Sequence, residues 1–227
     1  MAQQSLPPSK QLMIVVTDGW DNVQGTIYVY EKHQDDWFLK YCNAIVVGGK
    51  GLGVGYGLVP LSIADAPYKK EGDMKSPAGI FTMGTAFGYA NYIDAKWLNY
   101  PYIKATDTLI CVDDMKSAAY NTLIDKKSGK VDYKSYENML LKKDYYKWGI
   151  FINHNAPKVV PGYGSCIFMH IWENDHNGTA GCTAMKEDDL IRILQWINID
   201  SNPLLVQMPR NEYIKIRSQY NLPVLDY

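Results

Sequence analysis

Histidine and cysteine are the side chains of this sequence that could carry out nucleophilic chemistry. The chain contains four of each, and His154, His170 and His176 fall in the same part of the chain as Cys166 and Cys182. A free thiol has a pKa near 8.5, so only about 3% of it is thiolate at pH 7. A reactive cysteine therefore needs a base or a positive field, and these histidines are the candidate bases.

His170 and Cys182 are the best candidates for a nucleophile and its base. A short apolar run ends at His170, a polar loop follows, and Cys182 precedes a predicted helix. The twelve intervening positions permit contact if the loop folds back. Gly181 lets the backbone approach closely, and the N–H groups of Gly181 and Cys182 could hold the oxyanion of an acyl transfer. A buried, inert cysteine is the alternative.

The first third of the chain is predicted to form strands that position this pair. The runs 11–17, 26–31 and 37–41 are rich in β-branched and aromatic residues, and the last two alternate in polarity. Together they predict a β-meander. Near the other end, Leu190, Ile193, Leu194 and Ile197 recur at helical spacing, with acidic residues in the first turn, so 187–197 is predicted to be a helix. Residues 204–208 predict a further strand.

The segments between these strands and the helix are predicted to be loops, turns or surface helices. The glycine-rich run 49–57 lacks the Lys-Ser/Thr of a phosphate loop and is interpreted as a loop between strands. Residues 76–79, SPAG, predict a turn that leads into a strand. Segments 116–124 and 133–143 carry mixed charges and are predicted to be surface helices, separated by a turn over 126–130.

Composition limits the class of protein. The 23 basic and 24 acidic residues give a formal net charge of −1, and no long window is basic, which argues against a nucleic-acid partner. No apolar run reaches the roughly 18 to 20 residues of a membrane span. Four cysteines without a CxxC motif permit one disulfide without identifying it. We expect a flexible segment over 1–9 and one domain over 10–227.

The order of these motifs resembles the catalytic domain of YkuD-type L,D-transpeptidases. That family carries a G-D-x-x-[T/S]-P-x-G-x-[F/Y] segment, then a His, then a Gly-Cys that holds the nucleophile. Here residues 71–81 read EGDMKSPAGIF, and His170 and the pair Gly181-Cys182 follow. The similarity runs from about Ile14 to Met208.

The resemblance implies an α+β, β-rich fold: a single catalytic domain with mixed sheets and a few peripheral helices. It also implies that Cys182 attacks a peptide carbonyl of a peptidoglycan stem peptide and forms a thioester. His170 would be the general base, with its second ring nitrogen held by a backbone carbonyl, here that of Ile171. Neither a metal nor a cofactor is implied.

The chain departs from the family pattern around the nucleophile. Where the family has Ser-His-Gly-Cys-x-Arg, residues 179–184 read TAGCTA, so Thr179 replaces Ser, and Ala180 and Ala184 replace His and Arg. The Gly-Cys-x-Ala-Met ending resembles a branch with hydrolytic members. Hydrolysis by an L,D-carboxypeptidase or endopeptidase is therefore the alternative to transpeptidation. Candidates for the role of the missing Arg are Lys69, Lys70 and Lys75.

The same resemblance implies the partners and the place of action. We expect peptidoglycan stem peptides as acyl donors and an amine acceptor, either a second stem peptide, a D-amino acid or a lipoprotein. We expect the protein in the periplasm or cell envelope of a bacterium, with the export signal absent from this chain. The expected substrate-binding residues are Lys75, Ser76, Thr179, Thr183, Trp172 and His154.

Two other classes of protein compete with this interpretation. A zinc peptidase would use His154 and His170 with Asp175 or His176, although no usual ligand spacing is present. A non-catalytic glycan- or peptide-binding module would use an aromatic platform. Its candidate residues are Trp97, Tyr100, Tyr102 and Trp172.

Overall fold

A computed structural model describes residues 6–128 and 131–225 of the chain. Strands dominate this part, and two α-helices lie near its C-terminal end, as the β-rich α+β prediction requires. The strands are β1 (Gln11–Thr17), β2 (Gln24–His33), β3 (Asp36–Val46), β4 (Leu52–Val54), β5 (Ser76–Gly88), β6 (Tyr102–Lys104), β7 (Leu109–Val112), β8 (Leu123–Asp125), β9 (Tyr136–Asn138), β10 (Trp148–Ile152), β11 (Phe168–Ile171), β12 (Thr183–Met185) and β13 (Leu204–Pro209). The α-helices are α1 (Glu187–Trp196) and α2 (Arg210–Ile216), and short 3-10 helices span Asp144–Tyr146 and Ile199–Ser201.

The main sheet is mixed and closes on itself. Its strand order is β10-β11-β12-β3-β2-β1-β13-β5-β4, and β10 also pairs with β5. The predicted meander is confirmed, because β1, β2 and β3 pair antiparallel in succession. All seven residues of β1 are buried, since β1 lies between β2 and β13 and belongs to the central core.

The C-terminal helix and strand also match the sequence pattern. In α1, Leu190, Ile193 and Leu194 are fully buried and the helix packs against β11. The helical spacing of these apolar residues places one face on the core, while the acidic residues of the first turn favour the positive end of the helix dipole. The helix therefore covers the strand that carries His170.

The prediction of two surface helices within 113–148 is wrong. This region instead forms a second, small sheet of order β8-β7-β9, which we call the small sheet. Its aspartates accept hydrogen bonds from nearby main-chain N–H groups, as Asp114 does from Lys116 and Lys134, and such bonds stabilise turns at the expense of helix. Of the predicted turn over 126–130, Gly129 and Lys130 lie outside the described residues.

The turn predicted at 76–79 is also wrong, because these residues begin β5. Ser76, Pro77 and Ala78 pair parallel with β4, and Gly79 pairs antiparallel with β13. Local Pro-Gly chemistry favours a turn, but strand pairing on both sides prevails here. The glycine-rich run 49–57, interpreted as a loop, contains the three-residue strand β4.

A disulfide, which the sequence permitted but did not identify, joins Cys111 to Cys166. It ties β7 of the small sheet to the segment just before β11. At the N-terminus, residues 1–5 of the expected flexible segment lie outside the described residues, whereas Leu6 packs against the core and the Ser9 hydroxyl donates to the Gln11 carbonyl at 2.8 Å.

Candidate active site

Cys182 lies in the turn before β12, with its sulfur held by the segment before β11. The N–H of Phe168 donates to Sγ at 3.3 Å, and Sγ lies 3.7 Å from the carbonyl oxygen of Cys166 as a thiol donor. Burial raises the pKa of the Cys182 thiol well above its usual range, and the nearby Glu137 carboxyl raises it further. The Phe168 N–H and the Lys69 ammonium oppose this rise. The resting thiol is therefore protonated.

Two hydroxyl groups hold the backbone of this turn. Ser76 Oγ donates to the carbonyl oxygen of Cys182 at 2.7 Å and accepts from the N–H of Gly48 at 2.8 Å. Thr179 Oγ1 donates to the same carbonyl oxygen at 2.5 Å and accepts from the N–H of Gly181 at 3.1 Å. Both hydroxyls are thus engaged in fixing the position of the cysteine.

His170 is placed by β11 beside the cysteine turn. It pairs with Gly149 of β10 on one side and with Ala184 of β12 on the other. Its Nδ1 lies 2.8 Å from the carbonyl oxygen of Ile171. A carbonyl only accepts, so Nδ1 carries the proton and Nε2 keeps its lone pair in the neutral ring. Burial lowers the pKa of His170 to about 4, which keeps the ring neutral at pH 7.

One cavity of about 400 Å³ brings the two groups together. Its lining includes Cys182, Gly181 and His170, along with four charged residues: Lys69, Glu71, Asp113 and Glu137. A second cavity, of about 250 Å³, is also lined by His170, together with Trp172 and Thr179. The thiol and the imidazole therefore border one cavity, and the imidazole borders both.

Lys69 is the buried cation of the larger cavity. The residue is 2% exposed, and its Nζ lies 2.6 Å from Asp73 Oδ1 and 2.6 Å from the carbonyl oxygen of Lys70. Of the three lysines considered for the role of the missing Arg, only Lys69 lines this cavity. Lys70 is exposed, and Lys75 Nζ binds Asp21 Oδ1 at 3.1 Å and the Lys50 carbonyl at 2.6 Å.

The remaining candidate residues fall into two groups. Trp172 and Thr179 border the smaller cavity, whereas Lys75, Ser76, Thr183 and His154 line neither of the two. Thr183 is fully buried and donates to Gln207 Oε1 at 2.6 Å. His154 is also buried, and its Nε2 lies 2.8 Å from the Tyr163 carbonyl. Burial lowers the pKa of His154 to about 4.

Two cavity residues were missed by the sequence analysis. Glu137 lies on β9, in a segment interpreted as a surface helix, and the Tyr146 hydroxyl donates to its carboxylate. Burial raises the pKa of Glu137 to about 7, against the lowering effect of that hydrogen bond. The ring of Tyr146 packs on His170 with centroids 5.2 Å apart. No local motif marks either residue, because only the tertiary fold brings them to the site.

The zinc and binding-module alternatives lack their expected arrangements. No three His, Cys, Asp or Glu side chains in the described part of the chain are grouped to hold a metal ion. Trp97 packs against Trp148, at 5.2 Å between ring centroids, and Tyr100 is buried in the core. Tyr102 packs on Trp148 as well, whereas Trp172 lies at the smaller cavity, which none of the other three candidates lines.

Fold and site together define a β-rich domain in which a buried thiol and a neutral imidazole line one cavity. The chain belongs to the YkuD family, described as the L,D-transpeptidase catalytic domain, whose match covers residues 14–206. This confirms the resemblance seen in the motifs. Members of the family are cell-wall enzymes that act on peptidoglycan stem peptides.

Two solved structures are similar to this chain over about half of their own length. Bd1075 from Bdellovibrio bacteriovorus matches with 12% identity and a TM-score of 0.43, over 92% of this chain and 54% of that chain. The helical cell shape determining protein Pgp2 from Campylobacter jejuni matches with 15% identity and a TM-score of 0.39, over 88% and 48%. The chain spans about half the length of these structures. A comparison with curated proteins gave no match.

The helices were also compared with the dimensions of a bilayer. Among the residues that the structure describes, none of the helices combines the length and apolar character needed to cross a membrane.

Proposed function

We propose that this protein is a cysteine acyl-transfer enzyme acting on peptidoglycan stem peptides, an L,D-transpeptidase with Cys182 as nucleophile and His170 as base. The hydrogen bond from His170 Nδ1 to the Ile171 carbonyl carries the proposal, because it leaves Nε2 as a free acceptor in the cavity that Cys182 lines. Family membership supplies the substrate class.

The reaction follows the usual two steps of covalent catalysis. Nε2 takes the thiol proton as Sγ bonds to the carbonyl carbon of the stem peptide. The tetrahedral intermediate then collapses, the C–N bond breaks, and the imidazolium returns the proton to the leaving amine. An acceptor amine then attacks the resulting thioester and gives its proton to Nε2. The C–S bond breaks, and the imidazolium returns the proton to Sγ, which restores the Cys182 thiol.

The oxyanion of the tetrahedral intermediate needs a hydrogen-bond donor. The N–H of Gly181 already donates to Thr179 Oγ1, so we assign this role to the N–H of Cys182 itself. The ammonium of Lys69 borders the same cavity and adds favourable charge as the thiolate and oxyanion develop. In this role Lys69 stands in for the Arg that the family pattern has at position 184.

The two cavities suggest how donor and acceptor approach. The acyl donor would occupy the larger cavity at Cys182, and the acceptor amine would reach the thioester past Trp172 and Thr179 through the smaller one. Water in place of the amine would make the enzyme an L,D-carboxypeptidase or endopeptidase, which remains the second candidate on the Gly-Cys-x-Ala-Met pattern. Either activity would act on peptidoglycan, so we propose that the protein works in the bacterial cell envelope.

Digestion of purified muropeptides, with a D-amino acid added as acceptor and products read by mass spectrometry, tests the proposal. Cys182→Ala is the loss-of-function variant. Cys42→Ala is its matched control, since Cys42 is the other free cysteine and is exposed. Exchange products that disappear only in Cys182→Ala establish transpeptidation, and water-only products establish the hydrolase. Products unchanged in Cys182→Ala would refute both.

A further inference from the structure

One residue pair of the small sheet is connected to both members of the candidate catalytic pair. Glu137 of β9 lies directly opposite Cys111 of β7 in the antiparallel register. Cys111 is connected to Cys182, the proposed nucleophile, and Glu137 is connected to His170, the proposed base. The small sheet does not pair with the main sheet, and these two connections join it to the reacting groups in addition to the apolar packing of Leu109 and Met139 in the cluster that includes Cys182.

The first connection runs through the disulfide. Cys111 is bonded to Cys166, whose carbonyl oxygen is the acceptor facing the Cys182 thiol at 3.7 Å. Two residues later the N–H of Phe168 donates to the same sulfur at 3.3 Å. The segment 166–168 therefore contacts the sulfur at both its ends, and the disulfide fixes where that segment begins.

The second connection runs through an aromatic ring. Tyr146 is 4% exposed and packs edge-on against His170 at 5.2 Å and against Phe168 at 5.5 Å. Its hydroxyl, the only polar atom of the side chain, donates to the Glu137 carboxylate. A buried ring with its one polar atom bonded has its orientation fixed, and it limits how the imidazole beside it can tilt.

We propose that the small sheet positions the nucleophile and the base relative to each other, with Tyr146 and Glu137 as positioning residues and the Cys111–Cys166 disulfide as their anchor. This inference rests on the proposed function. Neither residue exchanges atoms with the substrate, so their loss leaves the chemistry intact but misaligned. Misalignment slows proton transfer from the thiol, which lowers kcat and the rate of thiol alkylation while KM changes little.

The experiment uses the Cys42→Ala background, in which Cys182 is the only free thiol. The rate of iodoacetamide alkylation is followed by intact mass, and kcat and KM are measured on muropeptides. The variants are Tyr146→Phe, Glu137→Leu and Glu137→Gln. Tyr120→Phe is the matched control, because Tyr120 is an equally buried tyrosine that donates to the cavity residue Glu71 without a ring contact to His170.

We expect alkylation and kcat to fall on the order of tenfold in Tyr146→Phe relative to the parent, and in Glu137→Leu relative to Glu137→Gln, which also lacks the carboxylate that raises the pKa of the Cys182 thiol, with KM within about twofold of the parent. Glu137→Gln should restore both rates, because its amide oxygen still accepts from Tyr146. The double variant Cys111→Ala/Cys166→Ala should show the same fall. Thermal unfolding of Tyr120→Phe measures how much the loss of one buried tyrosine hydroxyl lowers stability.

Rates in Tyr146→Phe and Glu137→Leu equal to those in Tyr120→Phe would overturn the positioning role, even where all three variants lose stability alike. A Glu137→Gln variant as slow as Glu137→Leu would also count against it. The alkylation readout needs no substrate. Suppose that alkylation is slow in Tyr146→Phe and Glu137→Leu, while Cys182→Ala leaves the muropeptide products unchanged. That result would refute the proposed substrate and still support the positioning role.

Discussion

The buried ammonium of Lys69, which lines the same cavity as Cys182, forms an ion pair with the partly exposed carboxylate of Asp73, 2.6 Å apart. Asp73 is further held by the N–H groups of Lys70 at 2.7 Å and Lys75 at 2.9 Å. The Gly-Asp motif of the sequence thus fixes a cation near Cys182, the proposed nucleophile. A positive charge here would stabilise a thiolate at Cys182 without a hydrogen bond to it.

Lys69→Met tests this role of the cation. Removing the ammonium leaves the Asp73 carboxylate with its two main-chain N–H donors but without its counter-ion, so we expect a loss of about 1 to 3 kcal/mol in the free energy of unfolding. The rate of Cys182 alkylation should also fall, since the Lys69 charge lowers the pKa of the thiol. Urea denaturation and alkylation kinetics measure the two effects.

The double variant Lys69→Met/Asp73→Asn separates stability from reactivity. Replacing both charges leaves no carboxylate without its counter-ion, so most of the lost stability should return while the alkylation of Cys182 stays slow. Recovery of the alkylation rate in the double variant would show that Lys69 acts only through folding.

Glu137 should make the stability of the protein depend on pH. Burial raises its pKa from 4.5 to about 7, with smaller contributions from Asp113 and Glu71. The unfolded chain releases this proton near pH 4.5 and the folded protein near pH 7, so stability falls as pH rises between these values. Glu137→Gln should therefore be more stable than the parent at pH 8, by on the order of 3 kcal/mol, and equal to it near pH 4.5.

Chemical denaturation of Glu137→Gln and the parent across pH 4.5 to 8 measures this difference. The buried His154 and His170 also affect stability, because their pKa values are lowered to about 4. Their contribution is present above about pH 6.5 and is lost as pH falls through about 4. The parent and Glu137→Gln share this histidine contribution, so it cancels in the comparison. A difference that does not change with pH would contradict the assigned ionisation.

Sequence patterns predict the parts of this protein in which local chemistry and tertiary environment agree. Helix α1 follows from apolar spacing, and the order of His170 and Gly181-Cys182 follows from a motif. The small sheet could not be predicted, because β8 and β9 are three residues each and are held by long-range pairing with β7. The contact between Glu137 and Tyr146 depends on that pairing, so it was missed with it.

The Cys111–Cys166 disulfide should contribute strongly to stability. It joins residues 55 positions apart, and a crosslink over such a loop is worth about 4 kcal/mol by the chain-entropy relation. Urea denaturation of Cys111→Ala/Cys166→Ala against the parent should show this loss. Cys42→Ala, which removes an exposed free cysteine, should leave the midpoint nearly unchanged. A loss of similar size in both proteins would assign the effect to cysteine removal rather than to the crosslink.

Ser76 and Thr183 are both fully buried hydroxyls, but they hold different atoms. Ser76 bonds the Cys182 carbonyl, whereas Thr183 bonds Gln207 in the core. Each of Ser76→Ala and Thr183→Val should lower the free energy of unfolding by about 1 to 3 kcal/mol, since each leaves a buried partner unsatisfied.

The two variants should differ in catalysis. Because Ser76 fixes the backbone of the nucleophile, Ser76→Ala should also lower kcat and the rate of Cys182 alkylation on the order of tenfold. Thr183→Val should change neither kcat nor KM, since Thr183 has no path to a substrate in either cavity. Steady-state kinetics on muropeptides measure both. A raised KM in Thr183→Val would instead restore Thr183 to the substrate-binding residues, because a change confined to KM reports lost substrate contacts rather than a displaced nucleophile.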